Sequence, residues 1–256
     1  GRRHPAVILL PGNAAGAHAV DEALDVDDVV TVSLGYRYAP PEDAGVMDSL
    51  RDVQKARHAL LDVVPGALLV SDYLRSREDV DPTRIAVVGL SFGALYVPAI
   101  AAQERGLAAA VLVDGGGDLR SLLAHNVERA GFSALAPVAG VLGARLLRPL
   151  EPLRHAPRVA PVPLVMINAT EDELVPRENA LALYAVAQEP KSLVWLEVGH
   201  VHLGDRVLLG RVVGAVRKAL ARLGVLESAT SGMSPRERSS ARPTTLGISR
   251  QAPYPS

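Results

Sequence analysis

The chain has 256 residues, 48% of them hydrophobic, with 27 Lys and Arg against 28 Asp and Glu, and no cysteine. That is enough for one large domain with its own core and short for two. The balanced charge offers no basic surplus for nucleic acid. The lack of Cys excludes disulfides, thiolate metal sites and a Cys nucleophile, without identifying a compartment. The longest apolar runs, such as AVILL and PLVMI, are too short to span a bilayer, and no signal peptide is visible. The chain opens on Gly1 and reaches a strand-like run by Ala6, so upstream sequence is expected to be missing.

Six apolar runs read as strands, at 6–10, 28–34, 84–89, 108–113, 162–168 and 192–197. Most lack polar alternation, as strands buried on both faces do. Pro11-Gly12 marks a turn after the first. Helical periodicity follows at 43–63 and again at 205–223. Strands alternating with helices predict an α/β fold, with a mostly parallel sheet covered by helices on both faces. Segment 115–160 opens on Gly115-Gly116-Gly117, holds helical patterns at 119–130 and 133–147, and turns Pro-rich. We read it as a small helical insertion within a domain spanning 1–226. From 227 to 256, Ser, Pro, Arg and Thr dominate, and a disordered tail is expected.

The stretch RIAVVGLSFGALYVPAIAAQ, residues 84–103, places Ser91 between Gly89 and Gly93 where a strand meets a helical segment. Such a turn crowds the backbone, glycines relieve the crowding, and the serine hydroxyl stands exposed at the carboxyl end of the sheet. The bland alternative is a turn serine without chemistry. Pro98 falls inside the expected helix and predicts a kink there.

A serine nucleophile needs a base and a carboxylate to orient that base. Of seven histidines, only His200 and His202 closely follow a late strand, and Gly199 favours His200. His58, His155 and His18 read as surface or loop residues, and His125, in the helical insertion, could at most line a pocket. The acid is expected in ATEDELVP, with Asp172 ahead of Glu171 and Glu173; Asp114, ending strand 108–113, competes. The oxyanion donors are expected to be the backbone N–H of Phe92 and one from Asn13 or Ala14. Leu90, Ala14 and Leu122 are candidates for lining an aliphatic substrate pocket. No metal or organic cofactor is implied.

Together these features resemble the α/β-hydrolase superfamily, in its chain order Ser91, Asp172, His200. DVDPTRIAVVGLSFGA is similar to the nucleophile turn of the dienelactone hydrolase-like and prolyl oligopeptidase-like branches, ATEDELVP to the acid turn, and EVGH to the histidine loop. LLPGN stands where many members carry His-Gly; Pro11 replaces the histidine, which is similar to cutinase-like branches, and that match favours Asn13 as the oxyanion donor. The resemblance covers roughly residues 5–224. It departs from the pattern in lacking the leading strands and in carrying Ala169 where glycine is common.

The resemblance implies an α/β-hydrolase fold and a serine hydrolase acting on a small carboxylic ester. Acyl-CoA thioesterase, peptidase and acyltransferase are the neighbouring alternatives. Arg145, Arg148, Arg154 and Arg158 are candidates for a phosphate patch in the thioesterase case, against the plainer reading of a solvated face. A non-catalytic binding protein on the same fold is the alternative from another class. No nucleic-acid partner and no membrane span are expected.

Overall fold

The structure is a computed structural model, and it describes residues 2–12, 28–36, 46–202 and 204–227. Among these described residues six strands form one sheet: β1 (His4–Leu10), β2 (Val30–Ser33), β3 (Val80–Leu90), β4 (Ala109–Val113), β5 (Leu164–Glu171) and β6 (Lys191–Gly199). Their order is β2-β1-β3-β4-β5-β6, and every neighbouring pair is parallel. All six runs expected as strands are strands, and β3 begins four residues earlier than expected.

The unbroken apolar character of the inner strands β1, β3, β4 and β5 has a direct cause. Alternate side chains point to opposite faces, and both faces are covered. Ile8, Leu10, Ile85, Val87, Leu112 and Met166 pack in one core cluster with α2. Val7, Leu9, Val88, Val111, Val113 and Ile167 pack in the other with α8. The helices are α1 (Val46–Leu61), α2 (Val63–Ser76), α3 (Val97–Ala101), α4 (Leu119–Arg129), α5 (Ala136–Leu146), α6 (Pro152–His155), α7 (Arg177–Val186) and α8 (Arg206–Arg222). Helix α8 buries Leu208, Leu209, Val212, Val216 and Leu220, a single stripe at steps of three and four. The Asp205 side chain caps its start by accepting from the N–H groups of Val207 and Leu208.

Two helical expectations change. The pattern at 43–63 is α1, but α2 follows it directly with Pro65 in its first turn, where a missing N–H costs nothing. No kink arises at Pro98. A 3-10 turn over Ser91–Leu95 leads into α3, and Pro98 lies in the first turn of that short helix. Asp81-Pro82-Thr83 falls inside β3, where the pairing with β1 shifts register. There Asp81 accepts from the N–H and hydroxyl of Thr83. The segment 115–160 contains the two expected helices, α4 and α5, and then α6. The expected tail at 228–256 lies outside the described residues.

Candidate active site

In a parallel sheet of this order, ligands bind beyond the carboxyl ends of the strands, where the connections switch direction. Here β1 leads one way to β2, and the next strand in sequence, β3, lies on the other side of β1. The switch is therefore between β1 and β3. Gly12 follows β1, Ser91 follows β3, and a Cβ added to Gly12 would stand 3.7 Å from Ser91 Cβ.

Ser91 has φ of 52°, a left-handed conformation uncommon for a residue with a side chain. The two glycines around it are demanded by close approach. A Cβ on Gly93 would lie 2.0 Å from the Leu10 carbonyl oxygen, and one on Gly89 would lie 2.5 Å from that of Gly93. The turn can close only with hydrogen at both places. It aims Ser91 Oγ at His200 Nε2, 2.6 Å away.

His200 follows β6, and its side chain is 2% exposed. Its Nδ1 lies 2.8 Å from each oxygen of Asp172. Asp172 follows β5 and is itself fixed, because its Oδ1 accepts from the N–H groups of Leu174 and Val175. The structure thus brings together the serine, the acid and the histidine expected from sequence. His202, 59% exposed, faces Glu173 at 3.6 Å and packs its ring edge-on against that of His200 at 5.6 Å, without reaching Ser91's partner nitrogen. Glu171 and Glu173 are exposed.

Asp114 holds a different position from the one considered for it. Its Oδ2 is 3.9 Å from His200 Nδ1, beyond hydrogen-bond reach. Instead Oδ1 accepts from Ala169 N–H and Oδ2 from Val201 N–H, both at 2.8 Å. One buried carboxylate ties the end of the acid-bearing strand to the histidine loop. It does so from φ of 48°.

Burial lowers the His200 pKa, but the Asp172 hydrogen bond and charge, with Asp114 and Glu173 behind them, more than reverse this and leave it raised. Burial and then the Asp172 charge push Asp114 up to about 6 from 3.8, against the pull of its two N–H donors and His200. A carboxyl raised in the folded state adds stability as pH falls through its folded value, with the gain complete below its unfolded value. The window for Asp114 therefore runs from about pH 6 down to about pH 4. Asp114→Asn removes that titration. The unfolding free energy of the wild type minus that of the variant should rise by about 2 kcal/mol between pH 7.5 and 4.5 in urea titrations. A difference independent of pH contradicts this.

Asp114, Asp172 and His200 bring donor atoms within 4.8 Å of one another, close enough to suggest a cation site among the described residues. Their donor atoms are otherwise engaged. Both Asp114 oxygens take backbone N–H groups, Asp172 Oδ1 takes two more, and both His200 nitrogens face Ser91 or Asp172. The set is built as a hydrogen-bond chain.

Phe92 is the second residue of the 3-10 turn, whose first N–H groups have no partner within the turn itself. Asn13 and Ala14 lie outside the described residues. Leu90 is buried at the end of β3, and Leu122 is half-buried on α4. Helix α4 is bonded to the acid turn: Asn126 Nδ2 donates to the Leu174 oxygen, and His125 Nε2 lies 2.9 Å from that of Glu173. Tyr36 was not anticipated. Its hydroxyl donates to the Pro11 carbonyl, and its ring packs edge-on to Phe92 at 5.2 Å and stacks on Tyr96 at 5.9 Å. It braces the loop after β1 against the serine turn. Its one sequence signal is its place just past β2, at the same end of the sheet.

The sequence profile of the prolyl oligopeptidase family matches residues 61–199, more than half of the chain. The chain belongs to that family, and its fold is the α/β-hydrolase fold. Among curated proteins it is 28% identical to YfhR of Salmonella typhimurium over 144 residues, which cover 56% of this chain and 48% of YfhR. It is 34% identical to Rv2307c of Mycobacterium tuberculosis H37Rv over 171 residues, covering 62% and 53%. The chain spans about half the length of these relatives. Among solved structures, the α/β hydrolase GrgF of Penicillium sp. sh18 superposes with a TM-score of 0.59 at 20% identity, covering 88% of this chain and 92% of that one. Acetyl xylan esterase 1 of Thermoanaerobacterium sp. gives 0.61 at 17%, covering 88% and 76%. Pyrococcus horikoshii acylaminoacyl peptidase gives 0.60 at 18%, covering 93% and 39%. At these identities the likeness is one of fold.

Proposed function

We propose that the chain is a serine hydrolase that cleaves carboxylic esters through an acyl-enzyme. The observation that carries this reading is the unbroken contact from Ser91 Oγ through His200 to Asp172, at 2.6 and 2.8 Å. His200, with its Nδ1 proton held by Asp172, takes the Ser91 proton on Nε2 as Oγ attacks the ester carbonyl. The negative charge that develops on oxygen is met by the N–H of Phe92 and, on the family resemblance, that of Asn13. The Nε2 proton passes to the departing alkoxide, leaving Ser91 acylated. Water, deprotonated by the same nitrogen, then attacks the acyl carbon and releases the acid with Ser91 restored. Residues 1–226 form the catalytic domain in this reading, with 115–160 as its cap-like insertion.

Membership of a family named for an oligopeptidase favours one other reading, cleavage of peptide bonds. The two are separated by offering p-nitrophenyl esters of acetate, butyrate and octanoate beside N-acetylaminoacyl p-nitroanilides. The ester reading expects turnover of the short or medium esters and no release of p-nitroaniline. Efficient release of p-nitroaniline would establish the peptidase instead.

A further inference from the structure

Helix α5 has two unlike faces. The inner one is made of small residues and closes on α4: a Cβ on Gly140 would come within 2.5 Å of the Arg120 oxygen, and one on Gly143 within 2.7 Å of Leu123 Cδ1. The outer face carries Leu135, Val138 and Leu142, each about 60% exposed, with Val141 beside them and Phe132 at 59% in the turn before the helix. At steps of three and four these residues form one stripe, and Arg145 continues it. Isolated exposed apolar residues are ordinary, but a contiguous stripe is a contact surface.

Charge decides what it contacts. Arg129, Arg145 and Arg148 are the charges from 129 to 150; of the flanking acids, Glu128 is exposed beside Arg129, and Glu151 is turned to the N–H groups of Asp118 and Leu119. Arg129 closes α4 at the hairpin end of the stripe, and Arg145 and Arg148 stand at its other end; all three are exposed. A two-fold dimer through this face would set cations against the same cations. An anionic headgroup layer matches them, with the arginine stems lying along apolar surface and the guanidinium groups reaching phosphate. Among the described residues no helix is long and apolar enough to cross a membrane.

We propose that the outer face of α5, with Phe132 and the three arginines at its ends, is a docking surface for an anionic phospholipid bilayer. Because α4 is bonded to the turn that carries Asp172, docking there holds the site beside the lipid. The inference does not depend on the chain being a hydrolase.

The test is cosedimentation of the full chain with large vesicles of phosphatidylcholine alone or mixed with phosphatidylglycerol. The protein should pellet with the anionic vesicles, far less with the neutral ones, and less as salt is raised. Arg145→Gln with Arg148→Gln should weaken binding about thirtyfold, from about fivefold per arginine. Leu135→Ser with Leu142→Ser should abolish it. If the leucine pair fails to fold, the lipid comparison and the arginine pair still decide. The proposal is overturned by no pelleting with anionic vesicles, or by equal pelleting with both. It is also overturned by binding that survives both pairs, which would place it elsewhere on the chain, or by a dimer in light scattering that the leucine pair abolishes.

Discussion

Ser91→Ala should reduce kcat on a p-nitrophenyl ester by about a millionfold, to the residual rate left by binding and the oxyanion donors. The change removes one atom, Oγ, whose contact is the 2.6 Å approach to His200. It leaves the strained backbone and the two glycine approaches untouched, because alanine has the same Cβ. The melting temperature should therefore stay within a few degrees of the wild type. Loss of turnover with the fold intact assigns the chemistry to Ser91. Turnover near the wild-type rate in the folded variant would remove Ser91 from the mechanism.

Asp172→Asn should lower kcat by about ten-thousandfold. An amide in place of the carboxylate can donate to Nδ1, which favours the tautomer carrying its proton on Nε2. That nitrogen can then no longer accept the Ser91 proton. The raised pKa of His200 has Asp172 as its main source. In the wild type the base form is thus reached at higher pH than in an ordinary imidazole, and kcat/KM should rise with pH through a midpoint above 6.5. In the variant that midpoint should fall. Asp114→Asn serves as the internal comparison. Asp114 does not reach Nδ1, so its loss should cost far less in kcat than the loss of Asp172. A variant at Asp114 as inactive as that at Asp172, with the fold retained, would exchange the two roles.

The four inner strands, β1, β3, β4 and β5, were legible because their apolar runs are buried on both faces. The serine turn was legible because Gly89 and Gly93 are there for close backbone approaches that any Cβ would block. The choice of His200 over His202 rested on Gly199, and burial separates the two in the structure. What could not be read depends on distant parts of the chain. Asp114 looked like a competing acid because its position after β4 is local, whereas its partners are backbone N–H groups 55 and 87 residues away. Tyr36 meets Pro11 and Phe92 only once β2 lies beside β1. Pro98 seemed a defect because one long helix was assumed, where the chain makes a 3-10 turn and starts a new helix. Asn13, chosen by resemblance, lies outside the described residues.

The central claim is that Ser91 is a nucleophile activated by His200. It is tested most directly by a fluorophosphonate probe, which forms a covalent bond with an activated serine and releases its fluoride, followed by peptide mass spectrometry. We predict one adduct, on the peptide containing Ser91, absent in Ser91→Ala and strongly reduced in His200→Ala. No adduct on the folded wild-type protein, or an adduct on a different serine, would contradict it.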